Sequence, residues 1–332
     1  MRGLSTAAIV AAVVVVGLLA IADALRSSDP AAQPVPAPTT TRASSATLPD
    51  TLRDELVIGR LIYSDAECRL HTLELPDMVN EPVGETRCRF ASNEGWVLAE
   101  GERLSPNWRY TARCEGGRIV IRDADTRAVD RRVEGCAADW RPPGGNRLTW
   151  ARGEVIYERG QPLLTRRELR AAGRRHPFLR ELPPDFELRV RVTDLRWVSP
   201  DRIVVSLRIR DPYGGDFLGA LFEGRRVVAL APGVLTGWFP SPAGSFVAAS
   251  SGTILTAEGD VVETPTGLPA GTAVAFSPDE RWLAYVTGRS VYLIGTPRNA
   301  EPGRLIRLPI PARDLAWERI SQVTRVAGLG TG

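Results

Sequence analysis

The chain has 332 residues, 43% of them apolar, and a formal net charge of +3. That length can bury a large core, and so small a net charge argues against a nucleic-acid-binding domain, which needs a concentrated basic face. All 42 basic residues are arginine, histidine occurs twice, and no C-x-x-C pair is present, so histidine-based catalysis and zinc- or thioredoxin-type cysteine sites find little support.

Residues 1–25 read as a signal-anchor segment. Positions 3–22 carry no charge and are mostly apolar. At roughly 1.5 Å per residue such a helix just spans a hydrocarbon core of about 30 Å. Arg2 on its N-terminal side favours a cytoplasmic N-terminus and an exported remainder. Ala20-Ile21-Ala22 also fits a small-residue cleavage site, so an uncleaved transmembrane helix and a cleaved, secreted form both stay open. Residues 26–52, rich in Pro, Ala, Ser and Thr, cannot bury enough apolar surface to fold and read as a disordered spacer.

From residue 53 the pattern changes to short strands. Leu61-Ile62-Tyr63 and the alternating Arg69–Leu75 open the first unit, and Cys88–Phe90 with Trp96–Leu98 are expected to form its outer part. The second unit holds Arg109–Cys114, Arg118–Ile121 and Ala128–Val133. Its Asp123-Ala124-Asp125-Thr126 suits a hairpin turn better than a calcium loop, because the further ligands and closing Glu are missing. The third holds Leu148–Ala151 and Val155–Tyr157. An insertion follows, in which Thr165 and Glu168 make a capping box and Gly173 is expected to end the helix. Leu164, Leu169 and Ala172 share one face of it. Arg166, Arg167, Arg170, Arg174 and Arg175 crowd the other, either as a basic patch or as a solvated face. Phe186–Val192 is expected to close the third unit. Ile203–Ile209, Phe246–Ala249 and Trp282–Val286 lead the strands of the last three, and residues 321–332 read as a frayed tail.

The clearest unit is Val274-Ala275-Phe276-Ser277-Pro278-Asp279-Glu280-Arg281-Trp282-Leu283-Ala284-Tyr285-Val286, a strand, a Ser-Pro-Asp turn and a return strand. Weaker copies put turn prolines at 106, 143, 200, 242 and 278, spaced by 37, 57, 42 and 36 residues, the widest gap containing the insertion. A period near forty residues with several strands per repeat is the signature of a propeller. The 274–286 stretch resembles the repeat of the TolB-like and WD-repeat-like propeller families. The likeness covers residues 57–320 loosely, lacks the Gly-His and Trp-Asp marks of true WD repeats, and leaves no room for the α/β domain that precedes the TolB propeller. It implies an all-β, six-bladed β-propeller over residues 53–320, with one short helical insertion in blade 3. Leu315-Ala316-Trp317, a start with no unit behind it, is expected to complete blade 1 and close the ring.

Four cysteines stand at 68, 88, 114 and 136. Their half-repeat gaps predict Cys68–Cys88 and Cys114–Cys136, each within one blade, although spacing does not exclude the other pairings. An exported chain permits such bonds.

Candidate site residues fall in two groups. Asp139, Asp194 and Asp314 each precede the Trp of a repeat start and share one rim. They either hold a cation or cationic ligand, or cap turns and pair with arginines. Asp211, Tyr213 and Asp216 lie in the 210–216 segment, read as a projecting loop where a ligand docks. His71 reads as a strand histidine and His176 as part of the insertion. No esterase elbow, zinc-helix motif, phosphate loop or dinucleotide fingerprint is present. The expectation is a monomeric, membrane-tethered scaffold outside the cytoplasm that binds a protein or envelope component and needs no cofactor. The alternatives are an exported metal-dependent hydrolase or lyase using the three aspartates, or a small-ligand sensor using the 210–216 segment.

Overall fold

The computed structural model describes the chain from 57 to 326, apart from 58, 94–95, 145, 177–178, 180–187, 212–213, 233–236, 250–252, 263–272 and 319–324. The anchor and spacer expected at 1–52 lie outside the described residues. Among the described residues no helix is long and apolar enough to cross a membrane. The described residues all belong to one compact unit, residues 47–332.

The strands run in chain order as β1 (Gly59–Ser64), β2 (Arg69–Leu75), β3 (Val79–Thr86), β4 (Phe90–Asn93), β5 (Trp96–Ala99), β6 (Arg103–Leu104), β7 (Tyr110–Glu115), β8 (Arg118–Asp123) and β9 (Val129–Glu134). They continue as β10 (Ala138–Trp140), β11 (Leu148–Arg152), β12 (Val155–Glu158), β13 (Gln161–Leu164), helix α1 (Arg166–Arg174), β14 (Arg189–Ser199), β15 (Arg202–Asp211), β16 (Gly214–Glu223) and β17 (Arg226–Pro232). The last are β18 (Trp238–Pro240), β19 (Phe246–Ala249), β20 (Ile254–Thr256), β21 (Val261–Val262), β22 (Ala273–Phe276), β23 (Trp282–Thr287), β24 (Ser290–Gly295), β25 (Leu305–Pro311), β26 (Asp314–Glu318) and β27 (Arg325–Val326).

They pair into six four-stranded antiparallel sheets, the expected blades: β26-β1-β2-β3, then β6–β9, β10–β13, β14–β17, β18–β21 and β22–β25. Closure occurs as the orphan start implied, with Leu61 opposite Trp317 and Tyr63 opposite Leu315. Burial follows radius. Second strands pack against a neighbouring blade on each face, so β19 is buried throughout and β23 at five of six positions, whereas outermost β3 and β9 are largely exposed.

The Ser-Pro turns hold because the serine hydroxyl is used twice. Ser277 Oγ accepts the Trp282 N–H at 2.9 Å and donates to Asp279 at 2.6 Å. Ser105 does the same with Tyr110 and Asn107, and Ser241 accepts the Phe246 N–H. Asp123 likewise caps its own turn, taking the N–H groups of Asp125 and Thr126. Both expected disulfides, Cys68–Cys88 and Cys114–Cys136, are present. Such bonds belong to an oxidising compartment.

Several expectations need correction. The outer strand of blade 1 is β3, whose polar sequence hid it because an outermost strand faces water. Residues 90–99 instead form a separate three-stranded sheet, β27-β5-β4, in which the supposed tail pairs in parallel with β5. Blade 3 is closed by β13, and Val190 and Val192 belong to β14 of blade 4. Helix α1 therefore follows blade 3 rather than interrupting it, and packs on blade 4 through Leu169, Ala172 and Gly173. Gly173 does not end the helix. A Cβ there would meet Leu188 at 2.9 Å and Val190 at 3.3 Å, so the glycine permits close helix–sheet approach.

Candidate functional site

Two places gather polar chemistry: the central cavity and the extended fourth blade. The innermost strands surround a cavity of about 820 Å³, within the size range of ligand pockets.

The three aspartates all reach this cavity, but their carboxylates are spent on backbone donors of the next sheet. Asp139 accepts the Trp197 N–H at 2.9 Å. Asp194 accepts the Gly237 N–H at 3.2 Å and, more weakly, that of Trp238. Asp314 accepts the Phe90 N–H at 2.9 Å. Each bridges one inner strand to the next, so β4 occupies the place that an inner strand takes at the other two seams. Indole groups tie the same seams: Trp197 Nε1 donates to Thr149 and Trp238 Nε1 to Ser206, each at 2.9 Å. Gly219 makes room for the Trp238 ring, since a Cβ there would lie 2.1 Å from it.

The carboxylates do not converge. Among the described residues no group of three or more His, Cys, Asp or Glu is placed to hold a metal ion. Burial pushes the Asp139 carboxyl above its ordinary range against the pull of Arg196, Arg103 and backbone N–H groups. Burial also pushes Asp314 up, to about 7, because the Phe90 and Leu315 N–H groups and Arg89 offset it only in part.

Sequence reasoning missed the two arginines that share the cavity. Arg103 on β6 and Arg196 on β14 line it together with the aspartates. Burial and the neighbouring Arg196 charge push the Arg103 guanidinium down to about 10. Arg196 Nη1 stands 3.8 Å from Asp139 Oδ1, and Arg103 Nη1 donates to the Glu102 carbonyl at 2.9 Å. In a chain with 42 arginines, two more inside strands give no signal in the sequence.

The second place is an arm on blade 4. The segment read as a 210–216 loop is the end of a hairpin: β15 and β16 pair from Arg202 opposite Glu223 out to Asp211 opposite Gly214. Tyr213 lies outside the described residues, and of Asp211 only its place in the ladder is described. Asp216 is half-exposed, and its Oδ2 stands 3.2 Å from His176 Nε2 after α1, on the helix side of the arm. The opposite side is different. Arg189 faces Arg210 across the ladder, and Arg191 faces Arg208. Arg208 lies over the Phe217 ring, 5.8 Å from its centre. Among the described residues none of the four has a carboxylate partner. Arg166 and Arg170, by contrast, are paired with Glu154.

No family model matches this chain, and no curated protein matches it. Solved structures do. The Cps50 (Swd1) β-propeller domain of Myceliophteria thermophila is 12% identical, with 78% of this chain and 89% of that chain covered at a TM-score of 0.43. Hydrazine synthase of Kuenenia stuttgartiensis is 12% identical, covering 69% and 70% at 0.40. TolB of Acinetobacter baumannii is 16% identical, covering 78% and 66% at 0.38. The propeller architecture rests on the strand pairing itself.

Proposed function

We propose that this protein is a membrane-tethered propeller that works outside the cytoplasm as a scaffold, docking an acidic protein or envelope component on the blade-4 arm. The observation that carries this is the pair of arginine–arginine steps, Arg189 with Arg210 and Arg191 with Arg208. Like charges directly opposite on a sheet destabilise it, so a face that keeps two such steps with no carboxylate partner among the described residues suits an anionic partner. The disulfides support an oxidising setting. The apolar run at 3–22 and the spacer after it support a tether.

The test is photo-crosslinking in native-host membranes with a photoreactive phenylalanine analogue in place of Phe217, which lies beneath Arg208 on the arginine face. Wild type should give one specific adduct, weakened by salt and lost in the charge reversal R191E/R210E. An adduct of equal yield in the reversed variant, or none from wild type, would sink the reading.

A further inference from the structure

The arginines inside the ring have a different problem from those on the arm. The Nε atoms of Arg103 and Arg196 are buried, and among the described residues neither has a hydrogen-bond acceptor. Leaving a buried donor unsatisfied is costly, more so on a charged group. The nearest carboxylates do not remedy this, since Asp139 and Asp194 point their oxygens at the N–H groups of Trp197, Leu195 and Gly237. Both guanidinium-bearing residues line one cavity of about 820 Å³.

We infer that the central cavity is a binding site for a small oxyanion, a carboxylate or phosphate group gripped between Arg103 and Arg196. Planar guanidinium forks match the spacing of carboxylate and phosphate oxygens and prefer two parallel bonds. The apolar wall from β22, Val274 to Phe276, suits an organic body behind the anionic head. This site is independent of the arm and of any partner on it.

Binding is tested on the full-length chain in neutral detergent, by equilibrium dialysis with inorganic phosphate and with citrate at constant ionic strength. Wild type should bind at least one of them at up to millimolar concentration, and which one binds assigns the head group. Arg103→Gln and Arg196→Gln should each weaken binding by roughly 10- to 100-fold, the loss of one charge-assisted hydrogen bond, while Arg191→Gln on the arm leaves it unchanged. A second measurement needs no variant: the bound anion should protect Arg103 and Arg196, and not Arg191, from an arginine-selective dicarbonyl reagent read by mass spectrometry. Absence of binding of either anion, binding unaffected by folded Arg103 and Arg196 variants, or protection no greater than chloride gives would overturn the site.

Discussion

Two seams of the ring use the same device and end up with different properties. Between blades 4 and 5, Asp194 holds the next strand by its backbone while the Trp238 indole reaches back to Ser206. Between blade 1 and the short β4–β5–β27 sheet, Asp314 holds the Phe90 backbone in the same way, but the phenylalanine side chain has no N–H to reach back with. The Asp194 seam also has Arg103 near it; at Asp314 the arginine nearby is Arg89, itself exposed and paired with Glu100. The difference teaches that the carboxylate latch recurs from seam to seam while the indole tie beside it does not.

The comparison can be broken or sharpened by substitution, each read as a change in thermal or denaturant stability. Trp238→Ala should be the most damaging, by about 4 kcal/mol, because a fully buried ring leaves a cavity. Asp139→Ala should cost about 3 kcal/mol, since it strands the Trp197 N–H and the charge of Arg196. Asp314→Asn should do the opposite above neutrality. A carboxyl whose folded pKa is raised to about 7 favours the protonated fold, so its contribution is full below the unfolded value near 4 and is lost as pH rises through 7. Asparagine keeps the acceptor for Phe90 without the charge. It should therefore stabilise by roughly 2 kcal/mol at pH 8 and change little at pH 4, allowing for partial solvent access. An equal effect at both pH values would show that Asp314 does not titrate in this window. Trp238→Phe should have the smallest effect, about 1 kcal/mol for one indole hydrogen bond.

What could be read before the structure, and what could not, divides along physical lines. The Ser-Pro turns were legible because a serine closing a turn with its hydroxyl must precede a proline-fixed corner, and the same residues recur. The disulfides were legible because half-repeat gaps place their ends on one sheet. Strand β3 was not, because its solvent-facing Val79–Thr86 lacks the apolar alternation of inner strands. The hairpin arm was mistaken for a loop because Gly214 and Gly215 resemble a turn, whereas the ladder runs through them. The aspartates, expected in connections on one rim, lie on the inner strands β10, β14 and β26, and the backbone groups they bind are far away in sequence. Arg103 and Arg196 were invisible for the same reason: their significance comes from what the ring places opposite them.

The central claim is that the two ends of the folded region meet in one blade and close the ring. Hydrogen exchange on the intact chain tests it most directly. Backbone amides of Arg60–Ser64 and Asp314–Glu318 should be protected together and lose protection together when residues 314–332 are deleted. If Arg60–Ser64 keeps its protection after that deletion, its partner is not β26 and the ring is not closed in this way.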